Sequence, residues 1–402
     1  MKLPRTDWQE RGGMPALLQA LGAAEGETRY VGGCVRDTLL NMPVNDVDLA
    51  TRLKPEEVIV RLRRARIKAV PTGLAHGTVT AILEGRPVEV TTLRRDIATD
   101  GRHATVAYTE DWAQDAARRD FTINALSADA RTLEVHDYFG GWEDVERRLV
   151  RFIGNPLTRI AEDHLRILRF FRFHARFAAG APDTAGLEAC TARANDLMAL
   201  SRERIADELL KLLALAEPAP TVLLMVEHGI LRPVLPEIDA EGAQRLARLV
   251  LRERQAGLEA APLRRFAALL PPVPELAGAV GTRLRLSNKA VKRLVSAAAR
   301  GPGDDDPPPA RAYRLGREEA IDRLLLGDGP PAAAASLADW ERPRLTVGGG
   351  ALIDLGLTPG PVVAATLQEV QRRWAAAGFP AEAEAQQAIA RAAVDQARRD
   401  SQ

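Results

Sequence analysis

The sequence predicts an α/β head built on a mixed β-sheet, followed by an all-α remainder. Two observations carry that reading. Residues 29–140 alternate short strand-like runs with helical patterns, as a sheet covered by helices requires. After Asp144, apolar residues recur at helical spacing almost to the end. A chain of 402 residues is also long for one core, and the expected division falls at residues 1–144, 145–215, 216–300 and 301–402.

Taken in order, residues 29–31 read as a short strand, which Gly32-Gly33 turns into a helix ending near Leu40. Residues 47–50 form a second strand. Pro55 suits the first turn of a helix reaching about Arg66, with Val58, Leu62 and Ala65 on one face. Strands follow at 67–70, 78–83 and 88–92, and the polar stretch 94–102 holds Asp100-Gly101, a turn signal. In the helical part, residues 162–177 place Leu165, Leu168 and Phe171 with Arg172 at helical spacing. Residues 202–215 are amphipathic behind Ser201, a candidate N-cap, and Ser287 or Asn288 caps a basic helix through Val295. Residues 301–309 and 327–336 read as loops, and the glycines at 348–350 precede a last helical region, 351–389.

Composition removes several classes. With 46% hydrophobic residues and a net charge of +1, the chain is no disordered polymer. Its 31 glycines follow no period of three, which excludes collagen. Two cysteines, Cys34 and Cys190, are too few for a disulfide scaffold or a cysteine metal cluster. No apolar run approaches the ~18 residues of a membrane span, and the first thirteen residues lack a signal-peptide core, so a cytoplasmic location is expected. Neutral net charge conceals one asymmetry. Residues 281–300 carry Arg283, Arg285, Lys289, Lys292, Arg293 and Arg300 without an acid, a patch suited to phosphate backbones.

Chemistry concentrates around Gly32. Paired glycines at a strand-to-helix turn permit close phosphate approach, the helix start offers amides, and Arg36 adds a charged fork. The spacing is neither a Walker loop nor a three-glycine dinucleotide fingerprint, and alone it also fits a simple tight turn. Asp46 and Asp48 sharpen it. On a strand, residues i and i+2 share a face, roughly 6–7 Å apart. Two such carboxylates repel unless a hard cation such as Mg²⁺ lies between them, and metal clamping of an attacking hydroxyl and a phosphate then becomes available.

These segments open a longer series. Val31-Gly32-Gly33-Cys34-Val35-Arg36-Asp37 and Asp46-Val47-Asp48-Leu49 are followed by Glu89-Val90-Thr91-Thr92-Leu93-Arg94 and Arg118-Arg119-Asp120-Phe121-Thr122-Ile123-Asn124-Ala125. Next come Asp137-Tyr138-Phe139-Gly140-Gly141, Glu162-Asp163-His164-Leu165-Arg166 and Ser201-Arg202-Glu203-Arg204-Ile205 with Glu208. The series resembles the class II tRNA nucleotidyltransferases and bacterial poly(A) polymerases, most closely the CCA-adding members, across residues 29–213. That resemblance implies a nucleotidyltransferase head, then helical neck, body and tail.

It also implies roles. Asp46 and Asp48 match metal-binding, catalytic carboxylates, with Glu89 on a later strand in a supporting place; a charged sheet-edge residue is the alternative for Glu89. Gly32, Gly33, Arg36 and Arg119 fall in the nucleotide-binding motifs. Asp120 and Asn124 match residues of ribose recognition and site organisation, and an Asp accepting from 2′- and 3′-hydroxyls suits a ribonucleotide. Asp163 and Arg166, three apart on one helix, match a protein template for the base: Arg donates to ring acceptors of cytosine or adenine, and Asp accepts from either exocyclic amine. Glu162 with Arg166 is otherwise an ordinary i,i+4 pair. Arg169, one turn on, is expected at the triphosphate or the RNA.

The implied reaction is attack of an RNA 3′-hydroxyl on the α-phosphorus of CTP or ATP, with Mg²⁺ (or Mn²⁺) and pyrophosphate release, and no covalent protein intermediate. His76 and His103 are therefore not expected as nucleophiles. Residues 94–112, including Arg102-His103, resemble the loop that helps relatives switch to terminal A. The partner is tRNA, held at its 3′ end by the head and at its elbow by the tail, where residues 352–361 resemble the family and Gly350-Ala351 departs from it. No membrane and no obligate protein partner are implied. Poly(A) polymerase and an enzyme adding only A remain the alternatives, and a catalytically silent RNA-binding protein is a third reading.

Overall fold

The computed structural model describes residues 1–99, 104–300 and 306–400, with side chains 96–106 outside the description. Arg102, His103 and the Asp100-Gly101 turn therefore lie outside it. The chain forms two compact units, residues 1–209 with 227–234, and residues 210–226 with 235–402. The expected head and most of the expected neck share the first unit; most of the expected body and all of the expected tail share the second.

In the first unit, α1 (Met14–Ala20) precedes β1 (Thr28–Val31), α2 (Gly33–Leu39), β2 (Asp48–Thr51) and α3 (Pro55–Arg64). Then come β3 (Lys68–Gly73), β4 (Thr78–Leu83) and β5 (Arg86–Thr92). Next are β6 (Arg94–Thr99), β7 (Ala104–Tyr108), α4 (Trp112–Ala117), β8 (Ser127–Asp129) and β9 (Val135–His136). The main sheet has the order β3-β4-β5-β2-β1-β8-β9. β2 pairs in parallel with β5 and antiparallel with β1, so the sheet is mixed as expected. Its buried face reads directly from alternation: Val88 and Val90 are buried, and Glu89 between them is exposed.

Four local expectations are corrected. Asp46 precedes β2 instead of lying on it, because the strand begins at Asp48. Ala65 is the exposed C-cap of α3, whose buried stripe ends at Leu62. Residues 94–99 are not a plain polar connection: β6 pairs with β7 as a separate two-stranded ribbon. Residues 162–177 are not one helix either. α5 (Gly141–Glu146) and α6 (Pro156–Glu162) come first, Asp163 is extended at φ −153°, and α7 (Leu165–Phe177) starts afresh. Asn155 caps α6 through Thr158 N, at 3.2 Å, and the Asp163 carboxylate accepts from Leu165 N at the start of α7, at 3.1 Å.

α7 is held against the head by aromatic rings, not by Leu165, which is only half-buried. Phe121 meets Phe152 at 5.0 Å and Phe173 at 5.1 Å, and Phe152 stacks on Phe170 at 5.5 Å. Each such ring stabilises the fold by about 1.5–3 kcal/mol on burial. Together they fix α7 beside residues 120–124. α8 (Thr184–Ala192) follows, and α9 (Arg202–Leu213) runs on behind Ser201, whose hydroxyl accepts from Arg204 N.

The second unit is helical. It contains α10 (Ala219–Glu227, all but its last residue), α11 (Ala240–Gln255), α12 (Pro262–Leu269), α13 (Pro274–Arg283) and α14 (Asn288–Ala298). α15 (Pro308–Leu315), α16 (Arg317–Leu326) and α17 (Pro331–Ala335) follow, then α18 (Gly349–Asp354), α19 (Pro361–Ala376) and α20 (Ala383–Arg399). α17 replaces part of the loop expected at 327–336. Ser287 is the N-cap of α14, accepting from Ala290 N at 3.3 Å. The basic stretch there is partly neutralised: Arg283 pairs with Glu237, and Arg293 with Asp322 and Glu318. Among the described residues, no helix is long and apolar enough to cross a membrane.

Candidate functional site

An open cleft of about 600 Å³ in the first unit is lined by Gly32, Gly33, Arg36, Asp46, Asp48, Arg119, Asp120, Asn124, Asp163, Arg166, Arg169 and Phe173. It gathers all but one of the residues singled out from the sequence. The exception is Glu89, which sits opposite Asp48 in the parallel β2–β5 register but is not among the described residues lining the cleft.

At the sheet end, the chain leaves β1 through Gly32 at φ 68°, and a Cβ there would stand 2.8 Å from Arg119 Nη1. The backbone conformation, φ 68° with ψ −121°, demands glycine at 32, and a Cβ there would also displace the tip of Arg119. Gly33 opens α2 with ordinary space around it, a Cβ meeting Arg36 Nη2 at 3.6 Å. Burial, and then the charge of Glu89, push the Asp48 carboxyl up to about 6, against which Arg119 and Arg36 pull only in part. At this edge of the cleft the two arginines thus offset only part of the penalty on the Asp48 charge. The hard oxygen donors of Asp46 and Asp48 fit a divalent cation. Among the described residues, no three His, Cys, Asp or Glu side chains gather into a cage. The donor set thus suits an ion that keeps water and completes its shell with ligand oxygens, as Mg²⁺ does.

Asp120 presents the opposite arrangement. Its carboxylate accepts from Arg169 Nε at 2.7 Å and Nη2 at 2.5 Å, from Asn124 Nδ2 at 2.9 Å, and from Phe121 N at 2.9 Å. Burial raises its pKa, but Arg169 and these hydrogen bonds outweigh that and hold it below the usual carboxylate range. Arg36 donates to Asn124 Oδ1 and, through Nε, to Asp37 at 2.7 Å, while its guanidinium lies 4.0 Å above the Phe177 ring. Asp120 and Asn124 thus act on each other before any ligand arrives. Arg169, expected at a triphosphate or RNA, is an anchor for Asp120 and stacks 5.1 Å from Phe173.

Asp163 and Arg166 face the same cleft from the break between α6 and α7. They do not share a helical face, because Asp163 lies in the break itself. Arg166 donates through Nη1 to Glu162 at 2.5 Å and Arg159 O at 2.9 Å, and through Nη2 to Arg118 O at 3.3 Å. Three of the five guanidinium hydrogens are so engaged, leaving Nε–H and one Nη2 hydrogen. The Glu162–Arg166 pair expected as the ordinary alternative is therefore present, and it orients Arg166 instead of competing with its place in the cleft.

Three supports were not recognised in the sequence. Buried Asp115 accepts from Arg118 Nε at 2.9 Å, Arg119 Nη2 at 3.4 Å and Arg94 N at 3.2 Å; its i,i+3 and i,i+4 spacing to the two arginines was the available signal. Arg159 clamps the backbone carbonyls of Arg118 and Arg119, and Arg204 donates to both oxygens of Asp163. These last contacts span some forty positions, and no local spacing reveals them.

Comparisons with known proteins agree with this geometry. Residues 28–151 match the model of the poly A polymerase head domain, and residues 182–241 that of a probable RNA and SrmB-binding site of polymerase A. The mitochondrial CCA tRNA nucleotidyltransferase 1 of Danio rerio is 34% identical, covering 90% of this chain and 86% of the relative. Its Homo sapiens counterpart is 31% identical over 95% and 91%. The crystal structure of the Bacillus stearothermophilus CCA-adding enzyme in complex with CTP superposes with a TM-score of 0.75 at 27% identity, covering 96% of this chain and 99% of that one. This chain belongs to the CCA tRNA nucleotidyltransferase family.

Proposed function

We propose that this chain completes tRNA 3′ ends with CCA, taking CTP and ATP in one cleft, with Asp46 and Asp48 as the metal-holding carboxylates and Asp163 with Arg166 as the base-reading pair. The observation that carries the proposal is their meeting in a single open cleft, from opposite ends of a motif series more than a hundred residues long.

Arg166 offers two donors and Asp163 an acceptor. Cytosine presents O2 and N3 as acceptors and N4 as a donor; adenine presents N1 and N6 in the same sense. Uracil and guanine invert that order and leave groups unpaired, at about 1–3 kcal/mol each. On the sugar side, Arg169, Asn124 and the Phe121 amide already fill the Asp120 carboxylate, so a ribose hydroxyl binds there by displacing one of these donors. On the phosphate side, Gly32 permits close approach, and Arg36 and Arg119 supply charge without needing to move. Asp46 and Asp48 would hold Mg²⁺, which would supply Lewis-acid charge for the attack of the 3′-hydroxyl on the α-phosphate. Glu89 stays a supporting charge beside Asp48. The exposed Arg283, Arg285, Lys289 and Lys292 meet tRNA phosphates, and the tail helices the elbow. A cytoplasmic site of action is part of the same proposal, tested by cell fractionation.

The deciding experiment incubates protein and Mg²⁺ with tRNA lacking CCA, tRNA ending in CC, and an unrelated oligoribonucleotide, each given CTP, ATP or both. CCA completion confined to tRNA is expected. Long A tails on the unrelated RNA support poly(A) polymerase instead, addition of A alone supports the A-adding reading, and RNA binding without incorporation overturns an enzymatic role.

A further inference from the structure

We infer that Arg204 is a specificity-positioning residue: it limits Asp163 to a single open acceptor, so that the cleft admits bases bearing an exocyclic amine and rejects those bearing a carbonyl there. The inference rests on the base-reading role proposed above for Asp163 and Arg166.

An ionised carboxylate has about four acceptor sites. Asp163 Oδ1 accepts from Leu165 N at 3.1 Å and from Arg204 Nη2 at 3.0 Å. Its Oδ2 accepts from the same Nη2 at 2.8 Å. Three sites are occupied, and the one remaining belongs to Oδ2. A single fixed acceptor matches one amine hydrogen, N4–H of cytosine or N6–H of adenine, and repels a carbonyl oxygen such as O4 of uracil or O6 of guanine. Without Arg204 the carboxylate rotates about its terminal bond, whose energy wells are broad, and the open acceptor loses its direction.

Position supports this role. Arg204 stands behind Asp163 and is not among the described residues lining the cleft, so it acts through Asp163 and not on the nucleotide. It projects from α9 one turn before Glu208, which accepts from Arg172 at 2.6 Å and lies 4.0 Å from Arg169, the anchor of Asp120. One rigid helix therefore braces both sides of the nucleotide, the base-reading carboxylate directly and the ribose-side carboxylate through Arg169. A brace built on a helix holds a side chain more tightly than one on a loop.

The test is single-nucleotide extension of tRNA lacking CCA, and of tRNA ending in CC, by wild type, Arg204→Met and Arg204→Lys. kcat and KM are measured for CTP against UTP and for ATP against GTP, with thermal midpoints recorded beside them. In Arg204→Met both discrimination ratios are expected to fall by at least about tenfold, from rising KM for CTP and ATP and gained use of UTP and GTP. Arg204→Lys, which keeps the charge but carries it on a shorter side chain with a freely rotating ammonium, falls between. Loss of all activity in proportion across the four nucleotides, or unchanged ratios in both variants, overturns the inference. If Arg204→Met does not fold, the ratios of Arg204→Lys decide in the same way. Wild type that incorporates neither C nor A instead overturns the underlying function, an outcome separate from any change among the variants.

Discussion

The two sides of the cleft use the same residue type in opposite ways. Asp48, at the sheet end, is pushed up to about 6 by burial and by Glu89, which Arg119 and Arg36 offset only in part. Asp120, on the facing side, is more deeply buried, yet it sits below the usual range because Arg169 and Asn124 saturate it. Asp163 is likewise taken by Arg204. The contrast separates two kinds of site. Where arginines saturate a carboxylate, they hold it in one orientation, as the ribose- and base-reading roles proposed above require. Where they offset its charge only in part, as at Asp48, an external cation can complete the balance, in keeping with the proposed metal site.

The largest effect should come from breaking the open side. Asp46→Ala and Asp48→Ala are expected to lower incorporation at least about a thousandfold while tRNA affinity stays within a few-fold, since phosphate contacts lie elsewhere. Extension assays and filter binding on the same preparations check this, and near-normal incorporation in either variant removes that residue from the metal site. Breaking the saturated side should cost stability instead. Asp120→Asn leaves Arg169 facing a neutral amide and is expected to destabilise the protein by about 3 kcal/mol, the low end for a buried pair because Arg169 keeps some solvent contact. Denaturant titration measures it, and a loss under about 0.5 kcal/mol means that Glu208 and the Phe173 ring hold Arg169 unaided.

A smaller effect tests the turn between the two sides. Gly32→Ala meets both a φ of 68° and Arg119 Nη1 at 2.8 Å. About 1–2 kcal/mol of destabilisation is expected, with a raised KM for nucleotide as Arg119 is displaced. Gly33→Ala, with ordinary space around its Cβ, should leave stability nearly unchanged. Equal stability of the two variants would show that the φ of 68° is relieved at no cost, and an unchanged KM in Gly32→Ala would show that Arg119 yields freely.

How much of this was legible follows from the range of each contact. The β2 strand, the helix over Pro55–Arg64 and the Ser287 cap depend on neighbours a few positions away, and the pattern shows them. So does the identity of the cleft, because Gly32, Asp48, Asp120 and Asp163 each sit in a compact local motif. The partners of these residues were mostly hidden. Arg169, expected at the triphosphate or the RNA, lines the cleft and also holds Asp120, 49 positions away in sequence, and Arg204 reaches Asp163 across 41. The break at Asp163 was missed for a different reason. Residues on either side of it are good helix formers, so propensity predicts continuity, while the Asp163 carboxylate supplies the local cap that lets a second helix start.

The smallest prediction puts the contrast in energetic terms. In protein stripped of divalent ions, the folded state raises the Asp48 pKa from 3.8 to about 6. Folding therefore favours its protonated form, and above about pH 6 the charge subtracts from stability; below about pH 4 both states are protonated and the penalty is gone. Asp48→Asn removes the charge, so the metal-free variant should be more stable than metal-free wild type at pH 7.5 by about 1–2 kcal/mol. The difference should shrink toward zero at pH 4. Comparing the two proteins at each pH cancels the titration of groups they share, including Asp120, whose lowered pKa makes its own loss of stability fall at lower pH. Added Mg²⁺ should then reverse the order at pH 7.5, stabilising wild type through binding to the folded state while leaving the variant almost unmoved. A variant less stable than wild type at pH 7.5 in chelator means that Arg119 and Arg36 already balance Asp48, and the sheet end of the cleft is then no different in kind from the side that holds Asp120.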